Sequence, residues 1–191
     1  VTILPTSKNK KITILISDSI SDIIKPQCII HELCHMNDYV LFSNKYCEGS
    51  TFELRNNMYL STVKAWSEFH VQLYVFPYYF CYFTYCDNTK NLYQDFISKI
   101  KTFYYNEFTK RFIAKQDKRL IDILYYLGQI VMCNLNDNET HYLIPDSIID
   151  SYPIIEELLP ILERCLTFDK FCENIDDLFE CLEGLSVTTL L

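Results

Sequence analysis

His31 and His35 stand four residues apart, with Glu32 directly after the first, in the string Ile30-His31-Glu32-Leu33-Cys34-His35-Met36. Four residues is about one helical turn, so both imidazoles reach one metal ion from the same face. Zinc accepts imidazole nitrogen readily, and a catalytic zinc keeps one position open for water. Glu32 then lies where it can act on that water as a general base. Ile29, Ile30, Leu33 and Met36 give the segment an apolar face, and Pro26 stands where a helix start tolerates it. A helix that buries this face together with His and Glu needs partners for the polar groups, and a metal ion is one. The pattern predicts a helix over about 26–42, closed by a loop at 43–51 that holds Asn44, Gly49 and Ser50.

Two histidines need a third protein ligand. Glu68 lies inside the apolar segment Ala65-Trp66-Ser67-Glu68-Phe69-His70-Val71-Gln72-Leu73-Tyr74, which leaves room after His35 for a loop and a returning helix. Glu53, His70 and Asp38 compete for the same place. Asp38 follows His35 by three residues on the same helical face. It fits better as a hydrogen-bonding partner that orients an imidazole than as a ligand. His70 reads as a substrate contact or as a hydrogen-bonded core histidine. Two histidines with a downstream glutamate make the gluzincin ligand pattern.

The pair of segments also resembles a known family. His31-Glu32-Leu33-Cys34-His35, followed by Glu68, Val71, Gln72, Tyr74 and Pro77, is similar to the ImmA/IrrE type of intracellular zinc metallopeptidase over about residues 12–80. Val71 stands where that family usually has alanine, and Gln72 where it usually has asparagine. The resemblance implies zinc, peptide hydrolysis and a cytoplasmic setting. It also implies a regulatory protein as target, in a system often carried by a phage or another mobile element.

The elements that must position these residues follow from the rest of the chain. Residues 11–17 are β-branched and apolar, and predict a strand. Zincin folds place such an edge beside the active-site helix, where an extended substrate pairs as an added strand. Residues 52–86 form the second long pattern, uncharged from Phe69 to Cys86. Pro77, His70, Gln72 and five tyrosines argue for a buried core helix, broken near Pro77, over a membrane span. Tyr74, Tyr78 and Tyr79 lie close enough to Glu68 in sequence to supply a hydroxyl to an oxyanion.

Residues 90–134 predict two helices, and 90–119 is basic, with eight Lys and Arg against three acidic residues. Gly128 sits in the second helix, where it permits close packing. Residues 145–191 carry eleven Asp and Glu against only Arg164 and Lys170. Their apolar positions predict an acidic helical cap, charge-complementary to the basic helix and expected to fold back on it.

Composition bounds the rest. The 191 residues are 49% hydrophobic, with 3 Gly and 6 Pro, which favours a helix-rich globule over disorder. Nine cysteines, with no CxxC pair, fit reduced thiols in a cytoplasmic protein. The N-terminal stretch lacks the pattern of a secretory signal, so none is expected. A net charge of −8 argues against direct nucleic-acid binding, and no glycine-rich phosphate loop or serine-nucleophile motif is present.

The expected fold is α+β and predominantly helical. Residues 1–88 form a zincin-like metallopeptidase core with a small β-sheet edge, and 89–191 a helical extension packed on it. The expected function is zinc-dependent cleavage of a protein or peptide substrate. His31, His35 and Glu68 are the ligands and Glu32 the general base, with Asp38, His70 and Tyr74 as supporting or substrate-facing candidates. The competing expectation is a catalytically inactive zinc-binding or helical interaction module.

Overall fold

The uncharged run that begins at Phe69 belongs to helix α2, Leu60–Phe83, and the other long helices pack around it. The computed structural model describes residues 2–3, 13–22, 24–50, 53–83, 89–116 and 118–184. Ahead of α2 come strands β1 (Thr2–Ile3) and β2 (Thr13–Ile14), helix α1 (Lys25–Tyr46) and a 3-10 turn at Glu53–Asn56. After it α3 (Thr89–Lys99) runs through a π-helical turn at Ile100–Tyr104 into α4 (Tyr105–Ala114). Then follow α5 (Leu120–Asn136), α6 (Asp146–Ser151), α7 (Ile154–Arg164), α8 (Phe168–Glu173) and α9 (Ile175–Glu183).

Helices α1 and α5 flank α2, and one continuous apolar core joins them to the C-terminal helices. Phe42 of α1, Trp66 and Phe69 of α2, Leu127 of α5, Leu158 of α7 and Phe171 of α8 are all fully buried in it. Trp66 ties the two ends of the chain together. Its indole N–H donates to the Cys165 carbonyl at 2.7 Å, and its ring lies between His70 and Phe171, each stacked at 4.3 Å. Buried aromatic contacts of this kind add about 0.5–1.5 kcal/mol to the burial itself.

The structure overturns the α+β expectation. It is of the helical class, and the strand that touches α1 among the described residues belongs to a ladder of two residues per strand, too short for a zincin-like sheet edge. Strand is confined there to Thr2–Ile3 and Thr13–Ile14, paired antiparallel in the register Thr2↔Ile14 and Ile3↔Thr13. Residues 11 and 12 of the expected strand lie outside the described residues, and Leu15–Ser17 is not strand. β-propensity reports fit to a pleated surface, and a ladder with no third strand or broad apolar face offers none.

Other boundaries shift for simpler reasons. Helix α2 continues through Pro77 to Phe83. The lost N–H bond costs about 3 kcal/mol, against which stands the burial of Phe69, Val71, Leu73 and Val75 in the two turns leading into the proline. Helix α1 continues to Tyr46 and ends in a turn where Glu48 and Gly49 take φ of 50° and 79°. The side chains of Tyr78 and Tyr79 lie outside the described residues.

The acidic segment meets the basic one through aromatic contacts: Tyr152 packs edge-on against Phe112 at 5.7 Å, and Lys118 Nζ lies 5.3 Å from the Tyr152 ring centre. Lys101 pairs with Asp137 and Glu139, Arg111 with Glu107, and Lys115 with Asp122. Arg164 pairs with Asp177 within the acidic segment itself. Helices α7 and α9 instead lay their apolar faces on α5 and α2, with Glu156, Glu157, Asp176 and Asp177 exposed. Among the described residues, no helix is long and apolar enough to cross a membrane.

Gly128 sets how closely α5 crosses α2. A Cβ there would stand 2.5 Å from the Phe69 carbonyl oxygen and 2.7 Å from Gln72 Cβ. Both obstacles belong to a packed helix and cannot swing away. Gly128→Ala is expected to destabilise the protein by about 1–3 kcal/mol. Gly184→Ala, whose Cβ would meet nothing closer than 3.6 Å, is expected to stay within about 0.5 kcal/mol of wild type. Urea unfolding of both variants checks this, and equal midpoints would contradict the close crossing.

Candidate metal centre

Helices α1 and α2 face one another along a turn that carries His31 and His35 on one side and Ser67 and Glu68 on the other. The two imidazole Nε2 atoms are 3.0 Å apart. Glu68 Oε2 stands 3.1 Å from His35 Nε2 and 3.8 Å from His31 Nε2. The three residues thus offer ligand atoms within 4.8 Å of one another. Tetrahedral zinc holds such donors at about 2.0–2.1 Å, which separates them from each other by about 3.3 Å. The observed distances straddle that value. Glu68 Oε2 is also buried with no hydrogen bond closing on it. A buried carboxylate oxygen in that condition costs free energy that a cation recovers. The donor set fits a metal ion.

His35 is held in the tautomer a ligand needs. Its Nδ1 lies 2.7 Å from Ser67 Oγ, and the Ser67 hydroxyl donates to Asp38 Oδ2 at 2.7 Å. Because the serine proton goes to Asp38, the serine oxygen accepts from His35 Nδ1–H. Nε2, the remaining ring nitrogen, is thereby turned toward Glu68. Asp38 is 1% exposed, and His70 Nδ1 reaches both of its oxygens at 3.1 Å. Asp38 therefore orients His35 through a serine and touches no ligand directly.

Ser67 was not weighed in the sequence, although a hydroxyl directly before a candidate ligand, inside an apolar helix, is a signal of a buried partner. Tyr125 escaped altogether, since it sits in an ordinary apolar helix 57 positions after Glu68. Its hydroxyl is 3.4 Å from His31 Nε2, and its ring meets the His31 ring edge-on at 5.8 Å. Burial, and then the charge of Glu68, raise its pKa, so the phenol stays protonated. The close crossing at Gly128, one turn further along α5, brings it there.

Glu32 is half-buried beside the same centre. Its charge adds to the rise in the Tyr39 and Tyr125 pKa values, behind burial and Glu68 in each case. His31 is held down to about 4, first by burial and then by His35, with Glu68 and Glu32 partly offsetting both. Its imidazole is therefore neutral at pH 7, the form that binds metal.

His70 and Tyr74 lie on the far side of Asp38. Tyr74 meets His70 edge-on at 4.9 Å. Both line a groove of about 1000 Å³ that runs along Pro26, Ile30 and Leu33 of α1 and contains none of the three candidate ligands. Cys34 faces this groove, its thiol pushed up to about 11 by burial and then by Asp38. Glu53 is exposed in the 3-10 turn, outside the ligand cluster. Comparison of the chain with protein-family models, curated proteins and solved structures finds no match.

Zinc content after loading and dialysis is expected to be near one per chain in wild type and lost in Glu68→Ala. Ser67→Ala is expected to keep the fold and weaken zinc about 10- to 100-fold, the usual effect of removing a group that orients a ligand. Full retention in Glu68→Ala would remove Glu68 from the site. A second expectation concerns acid. The folded metal-free protein binds fewer protons at His31 than the unfolded chain, so this contribution is complete above pH 6.5 and lost as pH falls toward 4. It amounts to about 3 kcal/mol. The unfolding free energy of wild type should therefore fall more steeply than that of His31→Gln between those values, and parallel curves would refute the shift.

Proposed function

We propose that this protein is a zinc-dependent peptidase acting on a protein substrate in the cytoplasm. The observation that carries the reading is the unsatisfied Glu68 carboxylate oxygen directed at two histidine Nε2 atoms, with Glu32 beside them. A site built only to hold the fold together needs no such general base. The ImmA/IrrE-like residues His31, Glu32, His35 and Glu68 support the same reading, as does Tyr125, a residue outside that resemblance. A regulatory protein is the substrate class that the resemblance favours.

A zinc ion held by His31, His35 and Glu68 supplies Lewis-acid polarisation of the scissile carbonyl and of the attacking water. The protein's own groups divide the remaining work. Glu32 takes a proton from the water as it attacks and returns it to the leaving nitrogen. Asp38, through Ser67, keeps His35 in one tautomer and one ring orientation. Tyr125, a protonated donor 3.4 Å from a ligand nitrogen, donates to the carbonyl oxygen as negative charge grows on it.

The zinc-loaded protein, incubated with a peptide library and read by mass spectrometry, is expected to give discrete new termini. Glu32→Gln should keep the metal and cleave nothing. Tyr125→Phe should keep the metal and KM and lose about 10²–10³ in kcat. Stoichiometric zinc with no cleavage of peptides or folded proteins would leave a zinc-binding interaction module instead. Equal cleavage by Glu32→Gln would overturn the assignment of the base.

A further inference from the structure

A second, smaller cavity of about 220 Å³ opens beside the metal centre, between α1, α2 and α5. It shares two walls with that centre. One is Glu68 itself. The other is Tyr39, whose ring stacks parallel to His35 at 6.1 Å and 11°. Its remaining lining is apolar where it is buried, formed by Ala65, Leu120 and Leu124, with Ile121 half-buried beside them. Ser61 is exposed and Lys64 half-buried, so the polar members mark the mouth.

We infer that this cavity is the subsite for the substrate side chain next to the scissile bond, and that it selects an aliphatic or small aromatic residue there. The inference rests on the peptidase reading above. Its volume lies below the roughly 300–1,000 Å³ that a drug-sized ligand occupies, so it takes one side chain. The walls offer burial and no buried charge other than Glu68, which faces the histidines. Selection must come from such a pocket, because the described residues give a peptide little strand edge to pair with. Burying a leucine-sized group there is worth about ten- to one-hundred-fold in affinity.

The test uses hydroxamic acids, which chelate zinc, with binding to the zinc-loaded protein read by calorimetry. Acetohydroxamic acid reports the metal centre alone, and 4-methylpentanohydroxamic acid adds an isobutyl group. The isobutyl compound is expected to bind about ten- to one-hundred-fold more tightly. Ala65→Leu and Ile121→Phe fill the cavity from opposite walls, and either one, if folded, should abolish that gain while leaving acetohydroxamate affinity unchanged. Equal binding of both compounds to wild type, or a gain that survives filling, would overturn the subsite and leave the metal centre standing. Failure of acetohydroxamate to bind in a zinc-dependent way would overturn the open metal centre and the subsite with it.

Discussion

A chain of hydrogen bonds through the α1–α2 interface is the constraint on which the site depends. Asp38 is almost wholly buried, and a buried carboxylate persists only when its oxygens are satisfied. Ser67 donates to one oxygen, while His70 lies within reach of both. These partners fix the rotation and height of α2 against α1. Once that is set, Glu68, next to Ser67, arrives at the two histidines with no further freedom. A shift of one residue along either helix would break Asp38 from its donors and separate Glu68 from the histidines together, so the polar interface and the candidate site share one register.

How far the sequence revealed this depends on the range of each interaction. The His31–His35 spacing is local, so the helix and its two imidazoles were readable at once, whereas Ile29 and Leu33 of the apolar face expected to be buried are exposed. Glu68 was readable because the one carboxylate of a long apolar helix has few reasons to be there. Ser67 and Tyr125 were not, since their roles exist only after α2 and α5 have docked and no local pattern marks a serine or tyrosine as facing a ligand. The strand expected over 11–17 survives, among the described residues, only at Thr13–Ile14. Its residue types were right for a strand, but only Thr2–Ile3 pairs with it there. At Pro77 the breaker was real and local, and tertiary burial outweighed it.

The charge pattern teaches a related lesson about which force sets topology. Opposite net charges on 90–119 and 145–184 favour contact, but exposed ion pairs are worth at most about 1 kcal/mol each. Burying the apolar face of a helix such as α7 or α9 is worth several times that. The helices accordingly dock where Leu158, Leu178 and Leu182 find apolar partners, and Lys101 and Arg111 of the basic segment pair with Asp137, Glu139 and Glu107 outside those helices.

The same balance bears on the candidate metal site between α1 and α2. Three groups there compete for one location. The Nε2 atoms of His31 and His35 and the Oε2 of Glu68 converge there, 3.0–3.8 Å from one another, with the Tyr125 hydroxyl also on the carboxylate. The burial that holds His31 near a pKa of 4 removes the simplest relief, protonation at neutral pH. A ligand that binds only the folded state stabilises it by mass action, so a metal held by these three groups would raise the stability of the fold.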